Sequence, residues 1–271
     1  MKDFVLCHGT HGVWFGVFSH FNAAGIRHGF STRLGGVSEL PFNSLNLGIK
    51  TADHQERVVA NRKRFCDAIG VVFAHVVTAQ QVHGDRIAVV TAADRGRGHA
   101  DYTTAIAGTD ALVTNAPDVP LMLFFADCVP VLIADPVQKV IGVSHAGWKG
   151  TVAKIAQKTV LTMQAHFGTR PRDCLVGIGP SIGPCCYEVD RTVIAPLSQN
   201  FSQWQKLVSP RSADHWLLDL WEANRVQLLE IGVSPENIVL SGICTACNTA
   251  LFYSHRAEKG QTGRMGALIT L

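Results

Sequence analysis

Three stretches of the chain set a histidine or cysteine beside glycine or a polar residue at the end of an apolar run. They are Gln80-Gln81-Val82-His83-Gly84, Ala126-Asp127-Cys128-Val129-Pro130 and Ser144-His145-Ala146-Gly147-Trp148-Lys149-Gly150-Thr151. Strand ends of this kind can hold side chains rigidly towards a shared cleft. Two imidazoles and one thiolate make a donor set suited to Zn²⁺, and three protein ligands leave the fourth tetrahedral position open, as a catalytic site requires. The same residues suit a second chemistry, with Cys128 as a thiolate nucleophile and a histidine as its base. Spacing alone does not choose between the two. The chain carries 12 histidines, and a histidine is ordinarily a surface residue or a satisfied core group.

Other features carry less. Cys244-Thr245-Ala246-Cys247 is a CxxC, but a structural zinc would need a second pair, and the adjacent Cys185-Cys186 suits a tetrahedral ion poorly. Ordinary thiols are therefore expected there. His8-Gly9-Thr10-His11 reads as a turn. Gly177–Pro184 is rich in glycine but lacks the lysine of a P-loop and does not match GxGxxG. It reads as a tight loop whose backbone approaches something closely. Arg33, Lys149, Arg256 and Arg264 each sit beside glycine or small residues, where a cation could meet an oxyanion. Arg62-Lys63-Arg64 lies on a helix and reads as a solvated face.

These residues need a scaffold. Apolar Val58, Val59, Phe65 and Ile69 fall on one side of a helix over Asp53–Ile69, stopped by Gly70. Short β-type runs follow at Val76–Thr78, Ile87–Val90, Ala111–Thr114, Leu121–Phe125, Val129–Ala134 and Val140–Ser144. A second helix opens at Gly150-Thr151 and runs to Phe167. Cys174–Ile178 is a strand, Leu217–Ile231 a helix, and Ile238–Ile243 and Ala267–Leu271 further strands. Several strands occur in succession, with helices at irregular intervals. That pattern predicts one α/β (α+β) domain over residues 1–271, a layered α-β sandwich with mixed sheets rather than a regular doubly wound fold.

Of 271 residues, 47% are hydrophobic and 17% charged, which allows a sizeable core. A formal charge of +3 without a Lys/Arg stripe argues against nucleic acid as a partner. The longest apolar stretch, Val119–Ala134, is broken by Pro120, Asp127 and Pro130, so no membrane span is expected. Met1-Lys2-Asp3 carries an acid at once, with no long apolar segment after it, which reads as no signal peptide. A reducing cytoplasm is the expected compartment, and there the 8 cysteines are thiols or ligands rather than disulfides.

From His28 onward the chain resembles the YfiH-type family, long labelled polyphenol oxidase or laccase-domain proteins and in later members described as purine nucleoside phosphorylases. The resemblance rests on Ser31–Ser38 (STRLGGVS), Ser44–Gly48 (SLNLG), Gln80–Asp85 (QQVHGD), Gly108–Thr114 (GTDALVT), Ala126–Pro130 (ADCVP) and His145–Thr151 (HAGWKGT). It continues through Gly179–Val189 (GPSIGPCCYEV), Cys244-Thr245 and the SHR and TGR of Phe252–Arg264. It implies a layered α/β fold related to that of certain bacterial toxin deamidases. It implies zinc on His83, Cys128 and His145, and phosphorolysis of adenosine, inosine, guanosine or 5′-methylthioadenosine to free base and ribose 1-phosphate. Some members also deaminate adenosine. On this reading the partners are a purine nucleoside and phosphate; Arg33 binds phosphate or the sugar, Lys149 and Arg264 assist, and Asp127 orients a ligand or carries a proton. Two alternatives remain at this stage. One is a copper polyphenol oxidase: a His₂Cys site could hold Cu²⁺, although the His-x-His pairs of multicopper oxidases are absent from the sequence. The other is a metal-free Cys–His hydrolase acting on an amide or cell-wall precursor.

Overall fold

Alternation of side chains along strands decides how the layers form. In the computed structural model, which describes residues 3–271, one sheet has five antiparallel strands in the order β1 (Phe4–His8), β2 (Trp14–Phe18), β3 (Arg27–Ser31), β14 (Met265–Thr270), β6 (Leu121–Phe125). A second has six, in the order β13 (Ile238–Leu240), β9 (Leu175–Ile178), β7 (Val129–Asp135), β8 (Val140–Ala146), β5 (Ala111–Thr114), β4 (Ile87–Val89). Its β13/β9 and β4/β5 pairs are parallel and the rest antiparallel, so the sheet is mixed as expected. Met1 and Lys2, on which the reading of the N-terminus drew, lie outside the described residues.

Residues two apart on a strand share a face. Leu121, Leu123 and Phe125 of β6 and Ala267 and Ile269 of β14 pack against Leu132 and Ala134 of β7 and Ile141 and Val143 of β8. This core joins the sheets face to face. Met122 and Leu268 point the other way, onto Phe65 and Cys66 of helix α2 (Gln55–Ile69), which follows the short α1 (Ser19–Ala23) in the chain. Val129, Val131 and Ile133 likewise face away from the inter-sheet core, towards α3 (Trp148–Val152), α4 (Ile155–Phe167) and α6 (Leu220–Glu230). The layers are thus helix, sheet, sheet, helices. A smaller sheet of β10 (Glu188–Asp190), β12 (His215–Leu218) and β11 (Val208–Ser212) lies beside α5 (Arg191–Asn200).

Most expected elements are present, with corrections. Lys154 takes a left-handed conformation (φ 61°), so the helix expected from Gly150 to Phe167 is two helices, α3 and α4. Leu217 and Leu218 belong to β12, and Asp219 then caps α6 by accepting a hydrogen bond from Glu222 N–H at 2.9 Å. Val76–Thr78 makes only an isolated bridge, Val77 to Leu121. The first three strands carry no clear alternation. Gly16 replaces a side chain where the Phe4 ring lies on the backbone, and Gly29 does so beneath Ile69. Among the described residues no helix is long and apolar enough to cross a membrane.

Candidate metal centre and its cavity

Each of the three candidate ligands is placed by a local device. Cys128 stands where the chain leaves the first sheet, at the end of β6, and enters the second at β7. The turn depends on Asp127, whose φ of 78° is unusual for a residue with a side chain. Its carboxylate is held by Thr245 Oγ1–H at 2.7 Å and by the backbone N–H of Arg256 at 2.6 Å. His145 lies near the end of β8, opposite Pro130 of β7. His83 stands in the loop before β4, also with positive φ (61°).

That loop is secured at two points. The Gln81 side-chain amide donates to the Phe124 carbonyl at 2.8 Å and accepts from Phe124 N–H at 2.9 Å, fastening the loop to β6. The buried Asp110 carboxylate accepts N–H bonds from Val82 (3.1 Å), His83 (3.0 Å) and Gly84 (2.8 Å). The same carboxylate meets His145 Nδ1 at 2.8 Å. One acid therefore sets both the backbone around His83 and the ring of His145.

The ligand atoms of His83, Cys128 and His145 lie within 4.8 Å of one another. With Nδ1 of His145 committed to Asp110, its Nε2 is the nitrogen free to bind a metal, the usual arrangement of a carboxylate behind a metal-binding histidine. Burial opposes ionisation of Cys128, but the attraction of the His145 ring and the hydrogen bonds from His145 and His83 draw the thiol below its ordinary value. Burial also opposes the charged ring of His145, which Cys128 and Asp110 nonetheless hold above the usual histidine range. A thiol ready to ionise beside oriented imidazoles is what a divalent soft-to-borderline ion requires. Gly147 leaves the necessary room. A Cβ there would stand 3.0 Å from the Cys128 sulfur and 3.3 Å from the His83 ring. The residues fit a zinc-like ion on these grounds.

The centre opens onto a cavity of about 550 Å³, within the range of small-molecule sites. Lys50, Arg62, Arg256 and Arg264 bring positive charge to its wall, against the carboxylate of Asp127. Tyr102, Phe124, Trp148 and Tyr187 bring aromatic surface.

Comparison with known proteins agrees with this architecture. Residues 27–271 match the family model described as multi-copper polyphenol oxidoreductase laccase. The crystal structure of YlmD from Geobacillus stearothermophilus superposes with a TM-score of 0.94 at 40% identity, covering 100% of this chain and 99% of that one. The chain belongs to the YfiH-type family. A hypothetical protein YfiH from Bacillus licheniformis superposes with a TM-score of 0.92 at 41% identity, over 95% and 96% of the two chains. Two sequence relatives bear the name purine nucleoside phosphorylase YlmD. The one from G. stearothermophilus is 43% identical over 247 residues, 91% of this chain and 90% of its own length. The one from Bacillus subtilis is 42% identical over 241 residues, 89% and 87%.

In this YfiH-type chain the cations predicted from sequence divide. Arg264 and Arg256 line the cavity. Arg33 does not. Its guanidinium is committed to the Asn43 and Thr249 carbonyls (2.9 and 2.8 Å) and to Glu258 Oε1 (2.9 Å), and it lies over the Tyr253 ring. It clamps loops together, with little capacity left for an anion. Lys149 points into a different surface depression, beside Pro196 and Asn200. Asp127 lines the cavity, but both its oxygens are engaged as described, which gives it a part in shaping the turn at Cys128. The expected solvated face at Arg62-Lys63-Arg64 needs correction as well: Arg62 is 1% exposed. It donates to the carbonyls of Leu47 (2.7 Å), Gly98 and His99 (2.8 Å each) and lies over the Phe124 ring. Sequence alone assigns Asp110 no role, although it stands within GTDALVT. A lone acid just before a strand is its one sequence signal.

Proposed function

We propose that this protein is a zinc-dependent purine nucleoside phosphorylase, with His83, Cys128 and His145 holding the metal. The observation that carries the reading is the juxtaposition of a three-ligand centre with a nucleoside-sized cavity that is both cationic and aromatic. Relatives that cover about nine-tenths of the chain bear that name. In the reaction a phosphate oxygen forms a bond to C1′ of the ribose while the C1′–N9 bond breaks. The purine leaves with the electron pair and takes up a proton, and ribose 1-phosphate remains. Arg264, Arg256 and Lys50, which line the cavity, would bind phosphate there. Tyr102 and Phe124 offer flat faces on which a purine can stack. Asp110 fixes the ring of His145 and the loop of His83, so the donor set is preorganised. A bound zinc supplies Lewis acidity beside the cavity. Asp127, with both oxygens engaged, holds the Cys128 turn in place.

The test is chromatography of products after incubation with adenosine, with and without phosphate. Adenine and ribose 1-phosphate appearing only with phosphate support the reading. Inosine in both conditions would add adenosine deamination. Absence of product from a metal-loaded sample would overturn it. Copper in a purified sample would not by itself support an oxidase, because Cu²⁺ binds such donor sets more tightly than Zn²⁺. One observation does favour a second reading: the polarised Cys128–His145 pair is also the apparatus of a Cys–His hydrolase. Chelator sensitivity separates the two, since a metal-free hydrolase would survive chelation.

A further inference from the structure

Four thiols outside the candidate centre converge on one point. Cys185 and Cys186 come from the loop between β9 and β10, and Cys244 and Cys247 from the loop after β13. Their sulfur atoms all lie within 4.8 Å of one another, with Cys186 to Cys247 at 3.3 Å and Cys185 to Cys247 at 3.6 Å. From sequence the adjacent pair looks unable to serve one ion. The backbone resolves this. A turn in which the N–H groups of Cys186 and Tyr187 both bond to the Gly183 carbonyl at 3.0 Å brings both thiols of the pair to Cys247. Cys244 is set by a bridge to Ser181, and its sulfur accepts the Gly183 N–H at 3.2 Å.

The distances discriminate among occupants. A disulfide needs sulfurs at about 2.0 Å, and even the closer of these two pairs, at 3.3 Å, is well beyond that. Zinc–sulfur bonds of about 2.3 Å at tetrahedral angles place sulfur pairs roughly 3.8 Å apart, close to the 3.3 and 3.6 Å of these two pairs and inside the 4.8 Å limit that holds for all four sulfurs. An iron–sulfur cluster holds its cysteines around a core of several atoms and needs a wider cage. A backbone N–H directed at one sulfur is the support a thiolate ligand receives. We propose that Cys185, Cys186, Cys244 and Cys247 form a second, structural metal site that takes one Zn²⁺ by all four sulfurs.

With four protein ligands the site is closed to substrate, so its work is to join two loops. Cys186 and Cys247 are 61 residues apart in sequence. Both loops border the cavity: Ile182 and Tyr187 line it, and Thr245 holds Asp127 at the Cys128 turn. The ion would thereby tie one wall of the cavity to the turn that presents Cys128.

The test is metal stoichiometry of the full chain, purified under reductant and titrated with Zn²⁺ alone. Two equivalents are expected in the wild type, one in Cys128→Ala, one in Cys247→Ser and none in the double variant. Cobalt added to Cys128→Ala should give the intense absorption of a tetrahedral tetrathiolate, a readout that does not depend on Cys247→Ser folding. A single equivalent in the wild type that disappears in Cys128→Ala would overturn the proposal. So would iron with sulfide, or a disulfide joining Cys247 to Cys185 or Cys186 in peptide maps of the reduced protein.

Discussion

Replacing Asp110 by asparagine changes one oxygen to an amide nitrogen without altering shape, and so isolates what the charge does. Oδ1 serves His83 N–H and His145 Nδ1; Oδ2 serves the N–H groups of Val82 and Gly84. Asparagine can keep an acceptor on only one side. If its oxygen faces His145, the new NH₂ meets the N–H donors of Val82 and Gly84, and the loop keeps only the bond from His83 N–H. If it faces the loop, Nδ1 of His145 is left with a donor, and the ring is driven to the tautomer that carries its proton on Nε2. Either orientation forfeits two bonds to a buried charged acceptor, each contributing about 1.5–3 kcal/mol. Part of that loss falls on stability and part on the metal, where removing such support typically weakens binding about 10–100-fold, or about 1.4–2.8 kcal/mol. The assay is zinc affinity by competition with a chromophoric chelator, with thermal unfolding followed in the chelated protein. An affinity within about twofold of wild type would refute the argument that Asp110 organises the centre.

Three further outcomes are expected. Gly147→Ala should weaken zinc binding while leaving the fold intact, because the backbone there (φ −65°, ψ 172°) suits alanine and only the contacts with Cys128 and His83 are tight; chelator competition beside a circular dichroism spectrum checks both halves. Arg62→Met should cost about 3 kcal/mol or more in urea denaturation, since two buried carbonyls and a half-buried one lose a charged donor together. His28 supplies the pH dependence: burial pushes its pKa from 6.5 down to about 4, against the pull of the Ile26 carbonyl, and the ring accepts the Phe18 N–H at 2.7 Å. The unfolded chain therefore binds this proton first, so the contribution is complete above pH 6.5 and is lost as pH falls towards 4, by about 3 kcal/mol at most. With chelator present, the urea midpoint should fall between pH 7 and pH 5 in wild type and fall less in His28→Gln.

The layers of this fold were legible wherever strands are buried on both faces or alternate cleanly, as in β5, β6, β7 and β8. They were not legible where aromatic side chains from elsewhere lie over glycine, as at Gly16 and Gly29, because such strands offer no pattern of their own. The three candidate ligands could be listed from sequence because cysteine and histidine at strand ends are chemically distinctive. Their convergence could not be derived from spacing, since it depends on Asp110 and on the left-handed turn at Asp127. Cations proved the least legible class. Arg33, Arg62 and Arg264 have the same chemistry in sequence, and what separates them is which carbonyls happen to surround each guanidinium. The four-cysteine cluster was hidden for a related reason: a turn can bring neighbouring residues to one point, which an extended segment would not.

The candidate ligands also differ in which sheet carries them. His145 belongs to the second sheet, Cys128 sits on the seam between the sheets, and His83 hangs from a loop whose Gln81 is stitched to β6 of the first. An ion bound at this point would work as a rivet through a laminate, resisting slippage of one sheet across the other. Its removal should therefore be felt beyond the cavity, as faster amide exchange at Phe124 on the β6 side together with Ser144 and His145 on the β8 side.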